Sequence, residues 1–345
     1  MFALQVHVAG KLLESKKLSI KFTHGPSSAT NSKVSGAGLT SGVVNEDVSI
    51  SLDAYDNCGN RQKRGGDSVQ AFLRGPETVD ASVTDKGDGL YTIVARVALS
   101  GTYGWSLSLN GKPVSIPARD SVRLLAGPVE PLTTLIFGSA LTTPMTAGKP
   151  ASVFVQLRDV SENNRTIGGD AISAELVSTQ GKIEVPSVLD NADGTYKLTY
   201  KTLKSGEYSL RVFLGLRQLG GLTHTISILP AAPSPKDCIA SGSGLASGIV
   251  GAAAQFTVEV RDKFGNTVAQ IGSAKLQVDL SGAAAPDAKV DGPKDGVFTV
   301  SYTPSQAGKY AIMVRLDKRP IAGCPYTATV SAPASRSLGI EEDDR

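Results

Sequence analysis

This chain of 345 residues contains no continuous apolar stretch of membrane-spanning length, which takes roughly 18 residues or more. Cysteine is scarce. Cys58, Cys238 and Cys324 are an odd number at unrelated positions, unlike the even, regularly spaced set of a disulfide framework, and they suggest a reducing, cytoplasmic setting. The histidines are His7, His24 and His224, none with Cys, Asp or Glu at ligand spacing, so no metal is expected. Neither sign of charge dominates: 35 Lys and Arg face 32 Asp and Glu, too even a balance to recruit nucleic acid or an anionic membrane. The opening Met1-Phe2-Ala3-Leu4-Gln5-Val6-His7-Val8 lacks the basic start, apolar block and cleavage site of a secretory leader, and alternates like a strand. A Gly-x-Ser-x-Gly motif, a phosphate loop and a zinc signature are all missing, so neither an enzyme nor a cofactor is expected.

What is plentiful is punctuation. With 37 Gly and 18 Pro, the chain favours many short strands and turns over long helices. The punctuation repeats. Asp88-Gly89-Leu90-Tyr91 returns as Asp193-Gly194-Thr195-Tyr196 and Asp295-Gly296-Val297-Phe298, at spacings of 105 and 102. Each is followed by Gly-x-Tyr, at Gly101-Thr102-Tyr103, Gly206-Glu207-Tyr208 and Gly308-Lys309-Tyr310. Each is preceded by an alternating run that ends in Asp56, Asp159 or Asp262, and farther upstream by Leu39, Leu141 or Leu245 in a Gly/Ala/Ser-rich stretch. Four landmarks in one order, three times over, define a tandem array.

The alternation puts one side of each strand in a core and the other in water. Asp-Gly before an aromatic supplies a residue able to take positive φ, then a large anchor for the next strand. About seven strands per roughly 100 residues is the arithmetic of an immunoglobulin-like sandwich. The only tryptophan, Trp105, falls on the sixth expected strand, and no copy holds two matched cysteines, so the antibody-type Cys…Trp…Cys pattern is absent.

On these residues the chain resembles the filamin repeat. The third copy matches best, through Gly242-Ser243-Gly244-Leu245, Phe256 to Asp262 with Gly265-Asn266, Asp295 to Pro304, Ala307-Gly308-Lys309-Tyr310, and a closing Ile321-Ala322-Gly323-Cys324-Pro325-Tyr326. In that motif Cys324 takes a small-residue position and reads as a packed side chain. The closing motif is loose at Pro113-Val114-Ser115-Ile116-Pro117 and weaker still at Gly220-Gly221-Leu222-Thr223. The resemblance implies an all-β chain of tandem immunoglobulin-like, filamin-type, seven-stranded β-sandwiches. Repeats are expected at 25–126, 127–230 and 231–332, with a disordered acidic tail at 333–345. Val6-His7-Val8-Ala9-Gly10-Lys11 matches Leu107-Ser108-Leu109-Asn110-Gly111-Lys112 at an offset of 101. Residues 1–24 therefore read as the last two strands of an incomplete repeat, and the chain as a fragment of a longer array.

The same resemblance implies a non-catalytic scaffold or spacer whose partners are proteins, cytoskeletal ones or the cytoplasmic tails of membrane proteins. Partners would add an extended peptide beside the third strand. The third copy has the cleanest alternation there, beside an Ala-rich connection from Ala283. The expected contacts are the outward Lys275, Gln277 and Asp279, with Leu276 and Val278 facing the core. Direct actin binding has no basis, since no helical domain is present. The alternative is an extracellular or gamete-surface adhesion protein, for which Asn164-Arg165-Thr166 is a glycosylation sequon. The recurring aspartates read as turn formers rather than calcium ligands, and Arg61-Gln62-Lys63-Arg64 as a solvated loop.

Overall fold

The structure, a computed structural model, describes residues 2–12, 18–117, 121–221, 223–282 and 284–333. The tail beyond Pro333, and Leu222 and Ala283 of the stretches singled out above, lie outside the described residues.

Alternating burial dictates the architecture. In the first sandwich Val48, Ile50, Leu52 and Ala54 are buried along the second strand, and Tyr91, Ile93 and Ala95 along the fifth. One sheet joins the fourth (Ser82–Asp85), fifth (Leu90–Ala95), second (Val48–Asp56) and first (Ser27–Ser35) strands in that order. The facing sheet runs from a short strand at Ser41–Val43 through the seventh (Val122–Leu125), sixth (Gly101–Leu109) and third (Val69–Arg74) strands to a short strip at Thr78–Asp80. The two inner faces close over one another as in any two-sheet sandwich.

The second and third sandwiches repeat this order. In the second, Leu135–Phe137, Ala151–Gln156, Thr195–Tyr200 and Ser187–Asp190 face a sheet containing His224–Leu229, Gly206–Leu214 and Ile172–Ser178. In the third, Ile239–Ser241, Ala254–Glu259, Val297–Tyr302 and Lys289–Lys294 face Tyr326–Ser331, Gly308–Leu316 and Leu276–Ser281. Ahead of them Phe2–Leu4 pairs with Leu18–Ile20, and His7–Val8 with Lys11–Leu12, in a two-stranded hairpin.

The repeated landmarks have repeated jobs. The Gly-x-Tyr tyrosines are buried and donate their hydroxyls four residues back, Tyr103 to Leu99 O at 2.7 Å, Tyr208 to Lys204 O at 3.0 Å and Tyr310 to Gln306 O at 2.9 Å. This is the corner that fixes where the sixth strand begins. Leu39, Leu141 and Leu245 each end a single 3-10 turn between the two halves of the first strand. In the third copy that turn is Ser243–Leu245, at the end of the Ser241-Gly242-Ser243-Gly244 stretch. The loose closing motifs prove equivalent at one buried apolar residue. Val114, Leu219 and Ile321 each donate their backbone N–H to the sixth strand, at Leu107, Val212 and Val314. That equivalence lies in backbone pairing, which the differing flanking residues conceal.

The glycine of Asp-Gly-aromatic is required at each copy. Gly89, Gly194 and Gly296 have φ of 84°, 83° and 82°, and their carbonyls accept from Ala54, Leu157 and Val260. A Cβ on Gly194 would lie 2.0 Å from Arg165 O. Gly194→Ala should therefore cost about 3 kcal/mol, combining positive-φ strain with overpacking. Chemical denaturation should show the loss in the second sandwich's transition, while an alanine at the open Gly181 turn, free of such contacts, costs less.

Candidate interaction sites

Two features stand out among the described residues: the ends where sandwiches meet, and one open sheet edge. The ends are built on the recurring aspartates, each 0–3% exposed at the close of the second strand. Asp159 Oδ1 accepts from the Ser161 and Asn163 backbone N–H groups, both at 2.9 Å, and its Oδ2 accepts from Gly127 N of the linker at 2.8 Å. Asp262 does the same with Phe264, Asn266 and the linker's Ala231, and Asp56 with Cys58, Asn60 and Gly25. One carboxylate thus shapes the turn and holds the incoming chain.

The asparagine carries the contact across. Asn163 Nδ2 donates both to Asp159 and, at 2.7 Å, to Ala98 O of the first sandwich, while its Oδ1 accepts from Ser100 N at 2.8 Å. At the second joint Asn266 Nδ2 donates to Leu203 O at 2.8 Å and Oδ1 accepts from Ser205 N at 3.1 Å. The receiving groups are two residues apart in the loop between the fifth and sixth strands. Each joint adds its own contacts. Asn45 Nδ2 donates to Ser161 Oγ at the first, whereas Lys204 Nζ donates to Phe264 O and the Phe264 ring lies over Gly148 at the second. Sequence reading took these aspartates as turn formers only. The available signal was the invariant four-residue step from Asp to Asn, at 56 and 60, 159 and 163, 262 and 266.

The open edge is the third strand of the third sandwich. Third strands of the first two sandwiches pair on their far side with short strips, Thr78–Asp80 and Ile183–Glu184. Leu276–Ser281 pairs, among the described residues, only with Gly308–Leu316. Lys275 lies just before the strand, exposed, its N–H on Asp317 Oδ1 at 3.0 Å and its carbonyl accepting from Asp317 N. Gln277 and Asp279 are exposed on the outer face, and Asp279 pairs with Arg315. Leu276, Val278 and Leu280 pack against the core.

Backbone alternation gives the inward residues a second role. Val314, opposite Val278, already accepts from Ile321 N and bonds the Cys324 thiol on its other side. Lys275, one residue before Leu276 and so in the opposite phase, turns both its N–H and its C=O towards Asp317, just past the end of the sixth strand. In an antiparallel ladder such pairs alternate, so the N–H and C=O groups of Leu276, Val278 and Leu280 face the open edge. Cys324 is half-buried and engaged with Val314, in keeping with its packed reading.

The remaining singled-out residues lie apart from both features. Trp105 is half-buried on the sixth strand and donates Nε1–H to Gly38 O at 2.9 Å. His224 is half-buried on the seventh strand of the second sandwich, where burial holds its pKa down. Arg61 pairs with Asp53 at 2.9 Å. No helix among the described residues is long and apolar enough to cross a membrane.

The model of the Filamin/ABP280 repeat matches residues 26–116, 128–222 and 232–327. This chain belongs to the filamin repeat family. Filamin-A of Drosophila melanogaster is 27% identical over 267 residues, 74% of this chain and 11% of that protein. Filamin-C of Rattus norvegicus is 25% identical over 308 residues, 86% of this chain and 10% of that protein. The chain thus spans about a tenth of the length of these curated relatives. Among solved structures, the Escherichia coli adhesin FdeC shares the fold with a TM-score of 0.53 at 20% identity, covering 90% of this chain and all of that one.

In this filamin-type chain Asp56 and Asp262 carry an acid dependence. The side-chain bond from Asn60, then its backbone bond, hold Asp56 at about 2, against the opposing effect of burial. Burial raises Asp262, but the bonds from Asn266, Ala231 and Phe264 together outweigh it and leave its pKa lowered. A carboxylate depressed in the fold contributes stability that is complete above its unfolded value of about 4. For Asp56 that contribution is lost as pH falls through about 2. Thermal unfolding followed from pH 5 to pH 2 should show a steeper loss in the native chain than in Asp56→Asn, which has no proton to take up there.

Proposed function

We propose that this chain is a non-catalytic scaffold or spacer, holding protein partners by β-strand addition at the open edge of Leu276–Ser281. That one-sided strand is the observation that carries the reading. Its free backbone groups offer an extended peptide a ladder to join, and the alternating side chains of Gln277 and Asp279, with Lys275 at the strand's start, supply selectivity. Ser273, Lys275, Gln277, Asp317 and Lys318 line a shallow depression at one end of the edge, mixed in charge, where such a peptide's terminus would rest. Family membership supports partners that are proteins, and the filamin relatives support a cytoskeletal, cytoplasmic setting for them. Linkage to cytoskeletal proteins or to the cytoplasmic tails of membrane proteins is the form of scaffold we favour.

The adhesion reading has one observation in its favour. Asn164 of the sequon is exposed, its Oδ1 accepting from Arg158 Nε at 2.8 Å. A glycan on Asn164 in protein purified from its native cell would move the assignment to the cell surface.

The test is partner capture from native cells with crosslinking through Lys275, Lys289 and Lys294, repeated with Gln277→Lys and Asp279→Lys together. Edge lysines are a natural block to strand addition, so capture should fall about tenfold or more, equivalent to about 1.4 kcal/mol. Full capture of the same crosslinked partners by the double variant would contradict strand addition at this edge.

A further inference from the structure

The first sandwich carries the acceptor half of a joint at its Asn60 end. Asn60 matches Asn163 and Asn266 in every local bond: its N–H and Nδ2 both donate to Asp56, and Asp56 accepts from the linker at Gly25. Arg165 Nη1, which holds Gly127 O, has its counterpart in Gln62 Nε2, which holds Gly25 O at 2.6 Å. The difference is what lies across. Asn163 and Asn266 are 8% and 5% exposed beneath the neighbouring loop, whereas Asn60 is exposed and its Oδ1 has no partner among the described residues.

The hairpin on the other side of Gly25 shows the same incompleteness. Its turn residues Ala9 and Gly10 have φ of 52° and 78°, nearly those of Asn110 and Gly111 at 51° and 76°. Phe2 pairs with Ile20 at the separation by which Tyr208 pairs with Ile226 and Tyr310 with Ala328. Geometrically it is a sixth and seventh strand. Yet Val6, Val8 and Ile20 are 44%, 59% and 41% exposed, while the matching Val314, Leu316 and Ile226 are 0%, 1% and 0%. Among the described residues no facing sheet and no third strand cover this hairpin, whose apolar residues stand half open.

We propose that the inner face of this hairpin and the Asn60 end of the first sandwich form one docking surface, whose occupant is the first five strands of another filamin-type repeat. Continuity with the two joints of this chain fixes the chemistry. The occupant supplies a sheet to cover Val6, Val8 and Ile20. It also supplies, in the loop after its fifth strand, a carbonyl for Asn60 Nδ2 and, two residues on, an N–H for Oδ1. Neither half suffices alone: the hairpin has no facing sheet, and Asn60 accepts only a loop held at the hairpin's start.

The test joins such strands to the full chain. Residues 26–101 of the first repeat, placed directly before Met1, put a fifth-to-sixth-strand loop in register with the hairpin; residues 232–308 of the third repeat do so with an independent sequence. Hydrogen exchange read by mass spectrometry is compared with the unextended chain. Exchange should slow at least about a hundredfold at both Val6–Val8 and the 56–62 turn, as in core strands against frayed ends. Asn60→Ala in the extended chain should return the 56–62 turn towards its earlier rate and leave Val6–Val8 slow. Fast exchange at Val6–Val8 with both extensions would overturn the proposal. So would slow exchange there with the 56–62 turn unchanged, since the hairpin would then be completed without the joint.

Discussion

One buried carboxylate per sandwich organises this chain. Asp56, Asp159 and Asp262 lie where the second strand ends, and each would be a costly group to bury without compensation. Compensation comes from turn N–H groups, a linker N–H and an asparagine amide, and it places that amide at the end of the domain. From there Asn163 and Asn266 bond the backbone of the preceding sandwich. Local turn geometry, the path of the linker and the pose of the neighbour are thus settled by the same few atoms.

This coupling separates the array from domains strung on loose tethers. Gly127-Pro128 and Pro230-Ala231 enter their sandwiches through N–H groups held by Asp159 and Asp262, and the prolines limit what the linkers can otherwise do. Three cross-domain bonds per joint, two of them through the asparagine, each worth about 1 kcal/mol, act on a connection already restricted in this way. For a spacer the consequence is orientation: an open edge such as Leu276–Ser281 is presented at a defined angle to whatever the other sandwiches hold.

Most of the fold is legible in the sequence because the repeat states each rule three times. Asp-Gly-aromatic, Gly-x-Tyr and the alternating second strand mark positive φ, a buried corner and a core face, each enforced by one or two residues. The candidate edge is legible in part. Alternation identifies Gln277 and Asp279 as outward and Val278 as inward, but whether a strand has a neighbour depends on chain far away in sequence. The short strips that, among the described residues, cover two third strands and not the other carry no separate pattern. The joints were hidden for a different reason. An aspartate that builds a turn and one that also anchors a linker have the same spacing, and the cross-domain bonds of Asn163 end on backbone groups, which carry no residue identity.

The most direct measurement of the account is the distribution of distances between neighbouring sandwiches. Spin labels at Asp80→Cys and Ser187→Cys span the first joint, and at Ser187→Cys and Asp291→Cys the second, in a Cys58→Ser background. Pulsed dipolar spectroscopy should give a narrow distribution for each pair, broadened markedly by Asn163→Ala at the first joint and Asn266→Ala at the second. Distributions equally broad with and without the asparagines would contradict the claim that these side chains couple the repeats.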